Sequence, residues 1–339
     1  MVRNQGRERY CDGMTRLGYQ IPNFTYPGVS QLDLFPTVVQ QARAAEASGF
    51  DTVLVMDHFY QLPMLGPPEN EMLECYTLLS ALAQHTERVR LSALVTGNAY
   101  RNPALLAKEV TTLDHVSGGR AQLGIGAGWY QLEHDSLGFE FGTFTDRFSK
   151  LEESLQIIRG MLAGARPSLN GRWYRVDDAI NSPAPLSKIP IMIGGGGEKK
   201  TLRLVALYAD ESNIICQPNE ITRKLDALAG HCESVGRDRS EVVVTILTNC
   251  CVAPTHEQAI AEADAFLAAR GIDMSSLSES DASQIRSLIV LGDPDEVGEI
   301  FSSRMIDGLD GFIVNAPANG HIDGRVELLG EVLRKVIDV

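Results

Sequence analysis

The sequence has no C-x-x-C pair among its six cysteines, Cys11, Cys75, Cys216, Cys232, Cys250 and Cys251. Without that spacing neither a zinc site nor a disulfide framework is indicated, and reduced thiols in a cytoplasm are expected. Cys250 and Cys251 are neighbours in an apparent strand, where adjacent side chains face opposite ways. No two histidines recur at metal-ligand spacing; His85, His115, His231 and His256 fall in or beside predicted helices, so no metal is expected. No apolar run approaches the roughly 20 residues of a membrane span. Met1 to Thr15, polar and of mixed charge, lacks the apolar centre of a signal peptide and reads as a flexible leader before one domain from 16 to 339. Basic runs are missing too, and a net charge of −14 argues against a nucleic-acid surface. G-x-S-x-G is absent, which removes the nucleophile elbow of a hydrolase.

Hydrophobic residues at 44% and charged residues at 22% describe a globular chain with a sizeable core. Apolar runs alternate with segments of helical spacing along the chain. Strands are expected at 17–24, 52–57, 89–96, 120–126, 189–194, 213–216, 242–248 and 310–315. Ser30 to Asp33 reads as a capping-box start, with Leu32, Phe35, Val38, Val39, Ala42 and Ala45 at helical spacing up to Gly49. Further helices are expected at 72–87, 103–116, 144–162, 199–208, 220–234, 255–270, 294–305 and 326–337. The segments 163–188 and 273–283 read as irregular. Such alternation gives either a doubly wound open sheet or a closed (β/α)8 TIM barrel, and the strand count favours the barrel, with insertions at its carboxyl-end loops. The loop from Gly126 to Gly142 is longer than a crossover needs. Ligands of a barrel sit at the carboxyl ends of its strands, which directs attention to Gln20 to Phe24, Asp57-His58, Thr96 to Asn98, Gly126 to Trp129, Gly194 to Gly197, Gln217 and Asn315.

From Ile189 to Thr201 an apolar run passes into four consecutive glycines and then a polar helical start. A bare backbone followed by a helix N-terminus offers unpaired N–H groups and a positive dipole end to an anion, and a phosphate is the expected guest. Gly194, four residues, then Lys200-Thr201 nearly match a Walker A motif. Lys199 occupies the place of its second glycine, so a triphosphate wrap is not expected and a monophosphate-bearing cofactor fits better. Gly124-Ile125-Gly126-Ala127-Gly128 lacks the G-x-G-x-x-G spacing of a dinucleotide fold. Asp57-His58 ends the second strand, where an imidazole can bond a cofactor ring or move a proton and the carboxylate can orient a partner.

Taken together, these residues resemble the bacterial luciferase-like monooxygenase superfamily, and within it the branch that uses the deazaflavin coenzyme F420. The resemblance rests on Val55-Met56-Asp57-His58-Phe59, on Thr96-Gly97-Asn98 with Tyr100-Arg101-Asn102-Pro103, and on Leu123 to Tyr130. It continues in Glu133-His134, Leu137-Gly138, Asp146-Arg147-Phe148, Ile193 to Thr201, Gly292 to Val297 and Asp310-Gly311-Phe312. It implies a barrel with the deazaflavin across its mouth. By position, Asp57 and Thr96 would contact the ring, and Ala127 and Gly128 the ring or side chain. Gly196, Gly197, Lys199 and Lys200 would hold the phosphate arm, with Asn98 and Gly195 as further cofactor-binding candidates. His58 would stand nearest the hydride transfer, as donor or proton shuttle. Many members carry a non-proline cis peptide in the third strand that backs the ring; here Ala93–Leu94 would be that bond.

Two departures narrow the substrate. Sugar-phosphate dehydrogenases of the family place a carboxylate after the glycine run and a Trp soon after the Asp-His pair, where this chain has Trp129 and Leu62. A sugar-6-phosphate is therefore not expected. An aromatic wall at Trp129, beside Leu62, points to a more apolar small molecule, unless Trp129 is a packing residue. The chemistry implied is hydride transfer between the deazaflavin and that substrate. An FMN-dependent monooxygenase and a non-catalytic flavin-binding barrel are the alternatives, and family members are often homodimers.

Overall fold

The computed structural model describes residues 14–338. Eight strands meet in it side by side: β1 (Leu17–Ile21), β2 (Thr52–Val55), β3 (Arg90–Ala93), β4 (Leu123–Gly126), β5 (Ile191–Gly194), β6 (Glu211–Ile214), β7 (Val243–Val252) and β8 (Gly311–Asn315). All pair in parallel, in the order β3, β2, β1, β8, β7, β6, β5, β4. The ring closes where Thr96–Gly97, the continuation of β3, pairs with β4, and where Leu91 bridges Ala121. This is the (β/α)8 barrel expected from the strand count. Strands so paired are buried on both faces, which is why Val53–Val55 and Ile191–Ile193 are runs of apolar residues without alternation.

Helices cover the outside: α1 (Leu34–Ala47), α2 (Cys75–Leu82), α3 (Pro103–Ser117), α4 (Gln131–Leu137), α5 (Phe144–Leu162), α6 (Thr201–Tyr208), α7 (Ile221–Ser234), α8 (His256–Ala268), α9 (Glu279–Arg286), α10 (Pro294–Arg304) and α11 (Arg325–Ile337). Local chemistry sets several ends. Asn102 caps α3 ahead of Pro103 while Gly118 closes it at φ 69°, and Thr143 with Asp146 forms a capping box on α5. Ser30 and Asp33 do bond each other, at 2.7 Å, but they close a turn, and α1 begins only at Leu34. None of the described helices is long and apolar enough to cross a membrane.

The structure departs from the sequence expectation mainly above the barrel mouth. β7 runs on to Val252 because Val290–Gly292 pairs with its outer half. The Ser/Asp-rich stretch contains α9, capped by Ser278, and with α8 it lays Ala263, Phe266, Leu267 and Met274 into one apolar cluster with Met56, Leu62, Leu65 and Tyr130. The long loop after β4 holds α4, and the segment after α5 holds a small hairpin, Leu169–Asn170 with Arg175–Val176. Cys250 lies in the main core and Cys251 in the mouth cluster, on opposite faces of β7 as strand geometry requires.

Leu54, Leu94, Met192 and Ile313 fill the barrel interior. Its floor is polar: Thr15 Oγ1 lies 2.8 Å from Thr52 Oγ1 and bonds Gln122 Oε1 at 3.1 Å, and the Thr15 N–H donates to buried Glu211 at 3.2 Å. Burial pushes the Glu211 carboxyl up to about 7, against the bond from the Thr15 N–H. The leader expected over 1–15 lies outside the described residues except at its end, where Thr15 is fully buried.

Candidate active site

The end of β2 delivers Asp57 and His58 to the mouth, and each is held by a different partner. Asp57 is buried and takes both terminal nitrogens of Arg101, at 2.6 and 3.1 Å, together with the Gly97 N–H at 3.3 Å. Arg101 also reaches Glu74 at 2.6 Å and Glu109 at 3.1 Å, and its guanidinium lies 4.8 Å from the centre of the Tyr76 ring. Burial pushes the Asp57 carboxyl up further than Arg101 pulls it back. Burial also opposes the Arg101 charge, but Asp57 outweighs it and the guanidinium stays protonated beyond its usual range. Both Asp57 oxygens are thus engaged by the protein, so the structure makes it an anchor of the strand-end loop.

His58 turns the other way. Its Nδ1 lies 2.9 Å from Glu133, on α4, which also accepts the N–H groups of Phe59 at 2.5 Å and Tyr60 at 2.9 Å and the Tyr100 hydroxyl at 2.5 Å. Burial pushes the Glu133 carboxyl up, but the bonds from His58, Tyr100 and Tyr60 outweigh it and bring it below its ordinary value. An ionised carboxylate only accepts, so Nδ1 carries a proton, and Nε2 has no partner among the described residues. The edges of Trp129 and Tyr130 flank the imidazole at 5.9 and 5.8 Å.

The non-proline cis peptide is Leu94–Val95, one bond beyond the expected Ala93–Leu94. The pairing explains the displacement: Ala93 is still in register with Val55, and the Leu94 N–H still donates to the Val55 carbonyl at 2.8 Å, so the strand cannot break before Leu94. Val95 then takes the central position. A Cβ on Gly194 would lie 2.7 Å from its Cγ1 and one on Gly126 2.9 Å from its Cγ2, so those glycines make the room it fills. Ala93 itself lies over Gly124, and Leu94 lines the barrel interior, its carbonyl accepting from Gln20 at 3.2 Å. Thr96 is buried with its hydroxyl 2.6 Å from the Tyr76 hydroxyl. Asn98 is also buried, and its Nδ2 is a donor without a partner among the described residues.

Across the mouth, β5 ends in the glycine loop. Gly195 has φ 127° and donates its N–H to Asn213, whereas the N–H groups of Gly196 through Lys200 reach no acceptor in the described protein. A Cβ on Gly196 would come 2.4 Å from the Ile215 carbonyl oxygen and one on Gly197 2.9 Å from Thr201 Oγ1. Of the two lysines, Lys199 is exposed, while Lys200 is turned back to Thr145 Oγ1 at 3.1 Å, over Phe144 and Phe148. Gly128, at φ 80°, gives its carbonyl to Arg147, and Ala127 packs half-buried against the core.

Leu62 is 7% exposed and belongs to the mouth cluster with Met56, Leu65 and Tyr130. Trp129 is 54% exposed, with its ring 5.2 Å from Tyr130 and 5.9 Å from His58. The unpartnered Asn98 donor and the open N–H run at the glycine loop are features that a ring cofactor with a phosphate arm fits. Among the described residues no three His, Cys, Asp or Glu side chains converge as a metal-binding group. Tyr100, Arg101 and Glu133 stand within the sequence motifs without an expected task there; the available signal for the first two is that they follow closely on the third strand, where a buried strand end needs polar partners.

The family model for luciferase-like monooxygenases matches residues 15–308. An F420-dependent glucose-6-phosphate dehydrogenase of Segniliparus rotundus is 28% identical over 84% of this chain and 89% of its own. A 5,10-methylenetetrahydromethanopterin reductase of Methanolobus tindarius is 28% identical over 77% of this chain and 70% of its own. Among solved structures, an F420-dependent secondary alcohol dehydrogenase with an F420–acetone adduct superposes with a TM-score of 0.76 at 21% identity, covering 95% of this chain and 99% of the other. The EDTA monooxygenase of Chelativorans sp. BNC1 superposes at 0.78 with 15% identity, covering 96% and 93%. The matched span, the closed barrel and the strand-end site agree: the chain belongs to the luciferase-like monooxygenase family.

Proposed function

We propose that this protein is an oxidoreductase that exchanges a hydride between coenzyme F420 and a small, largely apolar organic substrate. The observation that carries the reading is the His58–Glu133 pair, which fixes the imidazole with one acceptor nitrogen free at the mouth. The relative named as an F420-dependent dehydrogenase, and the structural neighbour with an F420–acetone adduct, support the choice of coenzyme. When bound, the deazaflavin supplies a two-electron hydride acceptor or donor at C5.

The chain's own residues do the rest. The N–H groups from Gly196 to Lys200 would bind the phosphate arm at the start of α6, and the Asn98 amide would give the ring a hydrogen bond. Val95, set between Gly126 and Gly194, would support the ring from behind. In the oxidative direction His58 Nε2 takes the substrate's hydroxyl proton as the hydride leaves carbon, and in reduction it returns that proton. Glu133 stabilises the imidazolium formed on the way and keeps the ring in one orientation. Trp129, with the cluster of Met56, Leu62 and Tyr130 beneath the α8–α9 cap, excludes water and favours an apolar substrate over a sugar phosphate.

Titrating the apoprotein with F420 and with FMN, followed by tryptophan fluorescence, tests the reading. Tighter binding of F420 and no oxygen uptake with reduced FMN are expected. Tighter FMN binding with oxygen consumption would overturn it in favour of an FMN-dependent monooxygenase.

A further inference from the structure

The glycine loop has few means of choosing which way its peptide planes face. Gly194 to Gly197 carry no side chains, and a glycine backbone admits both orientations of a peptide plane at little steric cost. An anion site needs N–H groups turned inward; a carbonyl turned inward would repel the phosphate. The plane before Gly195 is fixed by the bond of its N–H to Asn213 at 2.9 Å, and the Gly197 carbonyl is fixed by the Leu202 N–H at 3.1 Å. The Lys200 carbonyl accepts from the Leu204 N–H at 3.1 Å, while the carbonyls of Gly196 and Glu198 have no main-chain partner among the described residues.

Two side chains of α7 hold them. Lys224, with only 12% of its side chain exposed, places Nζ 2.6 Å from the Gly196 carbonyl oxygen and 3.0 Å from Glu198. On the same face of α7, two turns further on, His231 Nε2 donates to the Glu198 carbonyl at 2.8 Å. The cis bonds among the described residues are Leu94–Val95 and Ser182–Pro183, so the Gly196–Gly197 and Glu198–Lys199 bonds are trans. Across a trans peptide the C=O and N–H point in opposite directions. Drawing the Gly196 and Glu198 carbonyls toward α7 therefore turns the Gly197 and Lys199 N–H groups away from it.

We propose that Lys224, assisted by His231, is the positioning residue that sets the peptide orientations of the phosphate cradle. The proposal rests on the deazaflavin reading for the identity of the cofactor, but not for the role of α7. Lys224 has a second duty in the same place, since with Arg223 it pairs the Glu198 carboxylate that would otherwise face the incoming anion.

The test compares affinity for F420 with affinity for the phosphate-free 5-deazariboflavin core, measured by fluorescence titration on wild type, Lys224→Met, Lys224→Arg, His231→Leu and the double variant Lys224→Met/Glu198→Gln. Lys224→Met is expected to weaken F420 at least tenfold while leaving the phosphate-free core within twofold. Lys224→Arg, which keeps a donor within reach of the carbonyl, recovers most of the loss. The double variant does not recover it, because the Gly196 carbonyl stays unanchored. His231→Leu, which removes the donor to the Glu198 carbonyl and leaves the Lys224 bonds intact, gives an intermediate ratio even if Lys224→Met fails to fold. Unchanged F420 affinity, an equal loss for both ligands, or full recovery in the double variant overturns the proposal. If wild type prefers FMN, the deazaflavin reading fails, yet the same ratio taken with FMN against riboflavin still decides for Lys224. Binding of neither phosphorylated cofactor by wild type would overturn both.

Discussion

Tyr100 donates its hydroxyl to the Oε2 atom of Glu133 at 2.5 Å, the oxygen that also receives His58 Nδ1. One carboxylate oxygen thereby joins the loop after β3 to the end of β2, through α4. Replacing Glu133 by Gln removes the charge that steadies an imidazolium and offers His58 a competing donor. Turnover is expected to fall about 100-fold, with cofactor affinity within twofold of wild type. Tyr100→Phe leaves the pair in place and should cost about tenfold. Steady-state rates beside fluorescence titrations check both; an Glu133→Gln enzyme with normal kcat would remove Glu133 from the mechanism.

Arg101 stands among Asp57, Glu74 and Glu109 with only 9% of its side chain exposed. Arg101→Met leaves a buried carboxylate without its counter-charge, and a loss of about 3–5 kcal/mol is expected from urea unfolding. Arg101→Lys keeps the charge but not the two-pronged geometry, and should fall between. Wild-type stability in Arg101→Met would show that the cluster contributes nothing net.

The floor of the barrel should be sensitive to pH. Glu211 keeps its proton to about pH 7 when folded, whereas the unfolded chain releases it near pH 4.5. The folded state binds more protons across that window, so the Glu211 contribution is full below it and is lost as pH rises through 7, by about 3 kcal/mol. Glu211→Gln should flatten the pH dependence of unfolding and, above pH 8, melt higher than wild type. Parallel wild-type and variant profiles from pH 5 to 8.5 would contradict this.

Gly196→Val places a Cβ where the Ile215 carbonyl oxygen lies 2.4 Å away, so backbone must move. The phosphate cradle moves with it, and F420 affinity is expected to drop at least tenfold, read as the ratio to the phosphate-free core. Equal affinity for F420 in variant and wild type would show that the loop does not carry the phosphate.

The barrel is legible in the sequence because several of its parallel strands, covered on both sides, are unbroken apolar runs, as Val53–Val55 and Ile191–Ile193 are, whereas Glu211–Asn213 in β6 is polar. The glycine loop and Asp57-His58 are legible because each announces its chemistry locally. Their partners are not. Glu133 lies 75 positions from His58, and Arg101 44 from Asp57, and nothing in local pattern records such distances. The cis bond falls one residue later than expected for a related reason: where β3 leaves the sheet is set by its register with β2. Lys224 reads as an ordinary polar residue of an amphipathic helix, and only the fold brings it to a carbonyl. Helix α9 hides in a Ser/Asp-rich stretch because few of its residues are buried, so its periodicity is faint.

Asp57 and His58 are consecutive, and so are the residues that reach them, Arg101 directly and Tyr100 through Glu133. A loop tied at one point can swivel about that point; a loop tied at two neighbouring points on opposite sides cannot. The segment after β3 and the end of β2 therefore behave as one rigid joint. An amino acid change anywhere from Gly97 to Asn102 should be transmitted to the imidazole as a rotation of the whole joint, even when the substituted side chain touches neither cofactor nor substrate.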